Sequence, residues 1–266
     1  MSLEGNVQLV RQRIERACLR GGRDPASVTL VAVTKGVSAE VVQQALTLGL
    51  VDLGENRVQE ARQKYAALNT WLGAQGSGLG AVALSPQPST QSAAGRSPQP
   101  VRWHLIGHLQ RNKAGLAVEL FDVIHSVDSL VLIEALDKAQ GSRLQALGQA
   151  NIKTLQLFIQ VNVSGEMTKF GCRPEETVSL AQAISKCRQS KLVGLMTMAP
   201  FSDNPEPART HFRRLRSLRD DLAAALSLQP TALSLSMGMS NDFEVAIEEG
   251  ADCVRIGTAI FGERSA

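Results

Sequence analysis

The chain has 266 residues, 44% hydrophobic and 20% charged, enough to fill the core of one large domain or two small ones. Its formal net charge of +3, from 28 basic and 25 acidic side chains, is too small to argue for a nucleic-acid partner. Cys18, Cys172, Cys187 and Cys253 form no C-x-x-C pair and no Cys/His cluster with metal-ligand spacing. No apolar stretch reaches the length of a membrane span, and the charged amino terminus lacks a signal-peptide centre, so a cytoplasmic protein is expected.

Leu3, Val7, Val10, Ile14 and Ala17 recur at helical spacing and predict an amphipathic helix over Leu3–Leu19, ended by GGRDP. Val28–Lys35 (VTLVAVTK) follows, a β-branched run that reads as a strand buried on both faces of a parallel sheet. Lys35 then stands at the strand's carboxyl end, where parallel α/β folds bind ligands. Partly desolvated there, its amine has a lowered pKa and can form a Schiff base with a carbonyl. The plainer alternative is a solvated lysine opening a surface loop. Ser38–Leu48 reads as a helix with a serine cap and Gly49 after its end.

Val51–Glu55 is a second strand, ending in Glu55 and Asn56, and RVQEARQKYAAL resumes helical sequence. Gly73 to Pro100, rich in Gly, Ser, Gln and Pro, is expected to be a disordered insertion; a domain linker is the competing reading. Strands are predicted at Arg102–Gly107, Phe121–Val127, Leu155–Val163, Leu192–Met198, Ala232–Ser236 and Cys253–Gly257. Helical segments fall between them, including 128–149, Pro174–Arg188 and Pro207–Leu226. Eight strands alternating with helices predict a single-domain (β/α)8 TIM barrel with an extra amino-terminal helix. A doubly wound open sheet is the alternative, but no G-x-G-x-x-G follows the first strand.

On a barrel, the loops after strands seven and eight repeatedly bind phosphate. SMGMSN and RIGTA occupy those positions. Ser236, Gly238, Ser240, Gly257 and Thr258 offer the hydroxyls and the glycine backbone that an anion needs. A lysine on strand one facing such a cup describes a pyridoxal 5'-phosphate site. Arg255, two residues before the cup, is placed to keep a pyridine nitrogen unprotonated, because guanidinium only donates hydrogen bonds. A barrel-floor salt bridge from Arg255 to Glu55 is the competing assignment. Met196 joins the candidate site as a residue packing on the cofactor ring or in the core.

His104, His108 and His125, on neighbouring strand ends, read as polar lining of the barrel mouth in preference to metal ligands, because no carboxylate has ligand spacing. Lys169 is a second amine near the site or a solvated loop lysine. The arginine-rich run ARTHFRRLRSLRDDL reads as a solvated outer helix in preference to a docking face.

VAVTK, GENRVQEA, WHLIGHLQRNK, IHSVDS, GLMTMAP and LSMGMSNDFEVAIEEGADCVRIGTAIFGER together resemble the YggS/PROSC family of pyridoxal phosphate homeostasis proteins. The resemblance implies a monomeric or weakly associating barrel similar to the amino-terminal domain of alanine racemase, with pyridoxal phosphate joined to Lys35 as an aldimine. It further implies phosphate contacts from Ser236, Gly238, Gly257 and Thr258, a ring-nitrogen contact from Arg255 and a ring contact from Asn56. The implied role is intracellular vitamin B6 homeostasis, with effects on amino-acid and keto-acid pools and delivery to apo-enzymes, and without catalytic turnover. A pyridoxal phosphate-dependent amino-acid racemase is the alternative, and a Schiff-base aldolase a weaker third. Two-base racemization needs a proton carrier on each face of the cofactor.

Overall fold

The computed structural model describes residues 2–74, 101–147, 153–166 and 169–263. Strands β1 (Thr29–Val33), β2 (Asp52–Glu55), β3 (Arg102–Leu105), β4 (Val123–Val127), β5 (Leu155–Gln160), β6 (Ser190–Met196), β7 (Ser234–Ser236) and β8 (Cys253–Ile256) pair in chain order. Every pairing is parallel, and β8 returns to β1 to close the barrel expected from the sequence. Parallel closure has one consequence for function: all eight carboxyl ends open on the same face.

The apolar runs are longer than the ladders they feed. Leu155–Val163 reads as one strand, but β5 ends at Gln160, and Val161 makes only an isolated bridge to Cys172. There the backbone turns into a loop held by the Asn162 side chain, whose Nδ2 donates to Glu166 O at 2.8 Å. Val161 and Val163 stay buried, so their apolar character reports burial and not ladder pairing. β6 starts earlier than expected because Ser190 and Lys191 pair with Leu155 and Gln156.

Helix α1 (Leu3–Arg20) is capped by Ser2, whose hydroxyl accepts the Gly5 N–H, and buries Val7, Val10, Ile14, Ala17 and Cys18. It lies against α8 (Phe243–Glu248) and α9 (Thr258–Phe261), the short helices that follow β7 and β8. Arg13 and Arg20 reinforce this packing through Glu244 and Glu248, at 3.1 and 2.6 Å. The extra helix thus braces the loops at which the phosphate cup was predicted.

Helix α2 (Ala39–Thr47) follows β1, and α3 (Val58–Ala74) follows β2. Gly73 and Ala74, read as the start of the insertion, complete α3. The remainder of that segment, 75–100, lies outside the described residues. Helices α4 (Ala114–Leu120), α5 (Leu130–Leu147), α6 (Thr177–Ser185) and α7 (Ala208–Ala225) complete the outer layer. The arginines of α7 do more than meet solvent: Arg209 binds Glu248 at 2.8 Å and Glu249 at 2.9 Å, and Arg213 binds Glu249 at 3.0 Å, tying α7 to the end of α8.

Phe212 of α7 is fully buried in the main core. Phe212→Ala is expected to lower the unfolding free energy by about 3–5 kcal/mol, read by urea titration.

Candidate functional site

A cavity of about 450 Å³ opens at the carboxyl face of the barrel. Lys35 enters it after β1, Asn56 after β2, Arg255 from β8, Gly257 and Thr258 from the β8–α9 turn, and Ser240 from the loop after β7. These six of the nine predicted site residues share one cavity, although they come from distant parts of the chain. Met196, Ser236 and Gly238 do not line it.

Two glycines make the approach of these segments feasible. A side chain at Gly107 would run into the Asn56 backbone, its Cβ 2.8 Å from Asn56 Cα. Gly238 has φ +93°, and a Cβ there would stand 2.6 Å from Ala246 Cβ. Gly238 therefore shapes the turn after β7 without itself facing the cavity. Its carbonyl accepts the Arg255 N–H at 3.0 Å, locking that turn to β8.

The end of that turn is held by Asp242, whose Oδ1 accepts the Met239 N–H at 2.6 Å; burial raises its carboxyl pKa. Ser240 Oγ accepts from Gly257 N–H and Ala259 N–H, both at 3.3 Å. These bonds are long for N–H···O contacts, so both amides are only weakly engaged. A hydroxyl and two convergent N–H groups are the complement of an anion oxygen.

Beneath the cavity lies a chain of buried polar groups. Arg255 is 3% exposed; its two terminal nitrogens donate to Ser236 Oγ at 2.7 Å and to Thr197 O at 2.8 Å. Ser236 Oγ lies 2.8 Å from His125 Nδ1, His125 Nε2 lies 2.9 Å from His104 Nδ1, and His104 Nε2 lies 2.8 Å from Asp52 Oδ1. Arg102 closes the far end on Asp52 at 2.7 Å. With both rings neutral, every bond is donated in one direction: Arg255 to Ser236, Ser236 to His125, His125 to His104, His104 to Asp52. The Ser236 proton is then committed to His125, so Ser236 holds Arg255 in place and is not placed to bind phosphate. Met196, fully buried, packs with Val123 and Phe158 at the same depth.

Reading His104, His108 and His125 as lining of the mouth holds only for His108. It stacks on Phe170 with ring centroids 4.2 Å apart and has Asp128 3.7 Å away. His104 and His125 sit inside the barrel, His125 stacked on Phe158. A histidine within a fully buried strand such as VIHSV must find polar partners, and that was the available signal. Among the described residues, no three His, Cys, Asp or Glu side chains gather as a metal site. The Arg255–Glu55 salt bridge does not form: Glu55 pairs with Lys64 of α3 at 2.7 Å. Lys64 and Glu60 were not anticipated as part of the site.

The model of the family described as alanine racemase, N-terminal domain, matches residues 3–265. The pyridoxal phosphate homeostasis protein of Aquifex aeolicus is 38% identical over 255 residues, 96% of this chain and 95% of the relative. PipY of Synechococcus elongatus PCC7942, solved with PLP bound, superposes with a TM-score of 0.73 at 30% identity, covering 98% of this chain and 100% of its own. Alanine racemase of Clostridium difficile 630 superposes with a TM-score of 0.65 at 15% identity over 99% of this chain and 60% of its own, a likeness of fold alone.

The buried chain predicts how stability varies with pH. Burial first, and then repulsion from Arg255 and from any proton on His104, hold the His125 imidazole well below its ordinary range. The unfolded chain therefore binds a proton near pH 6.5 that the folded chain refuses, and stability falls as pH drops through that value. Between pH 7.5 and 5.5, urea titrations of His125→Phe are expected to show a shallower decline than wild type. The difference should approach 1.4 kcal/mol per pH unit, roughly the value of one proton. Parallel declines would show that His125 takes up its proton in the folded chain.

Proposed function

The chain belongs to the pyridoxal phosphate homeostasis proteins, within the alanine racemase N-terminal-domain family, and on that premise we propose that it binds pyridoxal 5'-phosphate at Lys35 and serves as a carrier of the cofactor. The observation that carries the reading is the convergence of Lys35, Arg255, Ser240, Gly257 and Thr258 on one cavity. The donor set fits the group: an amine, a buried guanidinium, two hydroxyls and two loosely engaged backbone N–H groups.

When bound, the group supplies an aldehyde that condenses with a lysine amine. Lys35 offers that amine. Ser240, Thr258 and the Gly257 and Ala259 N–H groups would hold the phosphate, while Gly238 shapes their loop and Ser236 anchors Arg255 from below. Asn56 and Met198 line the cavity wall and would contact the ring. Arg255 spends one bond each on Ser236 and Thr197 and keeps further N–H groups of its five for a ring nitrogen. As a permanent donor it favours an unprotonated nitrogen, which weakens the ring as an electron sink.

A further observation supports a non-catalytic role. Tyr65, the only tyrosine, packs against Trp103 with ring centroids 5.9 Å apart and does not line the cavity, so it supplies no second proton carrier. Phe201 and Phe170, 79% and 56% exposed at the cavity mouth, form an apolar rim suited to presenting the cofactor to an apo-enzyme. All four cysteines are free, in keeping with a reducing cytoplasm, and no helix among the described residues is long and apolar enough to cross a membrane.

Purified protein mixed with pyridoxal phosphate is expected to show a yellow absorbance band that borohydride abolishes, leaving a pyridoxyl group on Lys35 by peptide mapping. Lys35→Ala should show neither, and a label on another lysine in wild type would sink the assignment. Ser240→Ala combined with Thr258→Val should weaken binding by roughly 10- to 100-fold, the loss of one charge-assisted hydrogen bond or more. Equilibrium dialysis should show a smaller loss for Arg255→Gln.

A further inference from the structure

A second charged cluster grips the backbone on either side of Lys35. Lys64 of α3 is 7% exposed, and its Nζ donates to Glu55 Oε1 at 2.7 Å, to Glu60 Oε1 at 2.8 Å and to the Thr34 carbonyl. Thr34 Oγ1 donates to the same Glu55 oxygen at 2.6 Å. Glu60 Oε1 also accepts the Gly36 N–H. The carbonyl before Lys35 and the N–H after it are therefore both fixed by one set of side chains.

Two carboxylates face one ammonium at hydrogen-bond distance, with the Arg57 guanidinium acting on Glu60 from farther off, and Glu55, fully buried, has Oε2 without a hydrogen-bond partner. Burial raises the Glu55 carboxyl, with Lys64 and Thr34 opposing. For Glu60, burial works against ionisation, but the bonds from Lys64 and Gly36 outweigh it and hold the carboxyl below its usual range. Glu60 thus carries a negative charge at neutral pH. Buried ion clusters stabilise folds poorly compared with apolar packing, so this one is weak evidence for a stabilising role.

We propose that Glu60 is a positioning residue for Lys35: through the Gly36 N–H and Lys64 it fixes the backbone on both sides of the lysine, and its carboxylate charge sets the proton affinity of the lysine amine. The other charged and titratable groups on this face of the barrel are Arg255 of β8, His108 after β3 with Asp128 behind it and Asp242 after β7, which line the cavity with Lys35, and Arg57, Glu55 and Lys64 on the α3 side. Arg255 disfavours the ammonium, and Glu60 opposes it from the α3 side. Unit charges about 10 Å apart in a partly buried site shift one another by about one pH unit.

The inference rests on reading Lys35 as the reactive amine, and its test needs no cofactor. The full chain, cleared of carbonyl ligands with hydroxylamine, is acylated by trace acetic anhydride from pH 6.5 to 10, and labelling of Lys35 relative to exposed Lys186 is read by peptide mass spectrometry. Glu60→Gln retains an oxygen that accepts from both Gly36 and Lys64 and removes only the charge. Its labelling midpoint is expected about half to one pH unit below wild type. Glu60→Ala should share that shift and also speed hydrogen exchange at the Gly36 N–H. A Glu60→Gln profile that superimposes on wild type overturns the electrostatic role, and unchanged Gly36 exchange in Glu60→Ala overturns the backbone role. A purely structural part would lower stability without moving the midpoint. Failure of pyridoxal phosphate to bind would instead count against the function proposed above and leave this measurement standing.

Discussion

The interior of the barrel is arranged around one buried cation. Removing a guanidinium from water costs several kcal/mol unless its donors are satisfied and its charge is answered. Arg255, almost wholly buried, is satisfied by the Ser236 hydroxyl and the Thr197 carbonyl. The carboxylate its charge acts on directly is Asp242 after β7; Asp52, at the start of β2, is reached only through Ser236, His125 and His104. Each link in that chain has one donor and one acceptor role, so removing any member leaves a buried polar atom unpaired.

This chain determines what remains available above it. Ser236 and Met196 are occupied at the level of the chain, and the cavity begins one layer higher, with Ser240, Gly257 and Thr258. The upper layer is connected loosely by comparison: the Ser240 contacts to the Gly257 and Ala259 amides are 3.3 Å long. A fully bonded chain from Arg255 to Asp52 thus lies beneath a more weakly bonded cup.

Lys35 stands between two opposed influences. Its strand β1 pairs with β8, which carries Arg255, and with β2, which carries Glu55. Closure of the barrel thus puts a buried cation on one side of the lysine and the Glu55–Lys64–Glu60 cluster on the other.

The sequence by itself determined the elements. β-branched runs such as VTLVAV and the repeated strand–helix alternation specify a parallel barrel, because period and apolarity are local properties written residue by residue. Lys35, Arg255 and the Ser/Gly turns after β7 and β8 were legible for the same reason: the barrel topology assigns a face to each strand end before any contact is known. Which of those residues meet in space was decided only by the tertiary structure. Ser234–Ser236 and Ser240 look alike as text, yet one serine proton is taken by a histidine from β4, 111 positions away. The Asp52–His104–His125 chain and the Lys64–Glu60 clamp were not legible because a hydrogen bond depends on distance and direction between side chains remote in sequence. Closing the barrel fixes both at once.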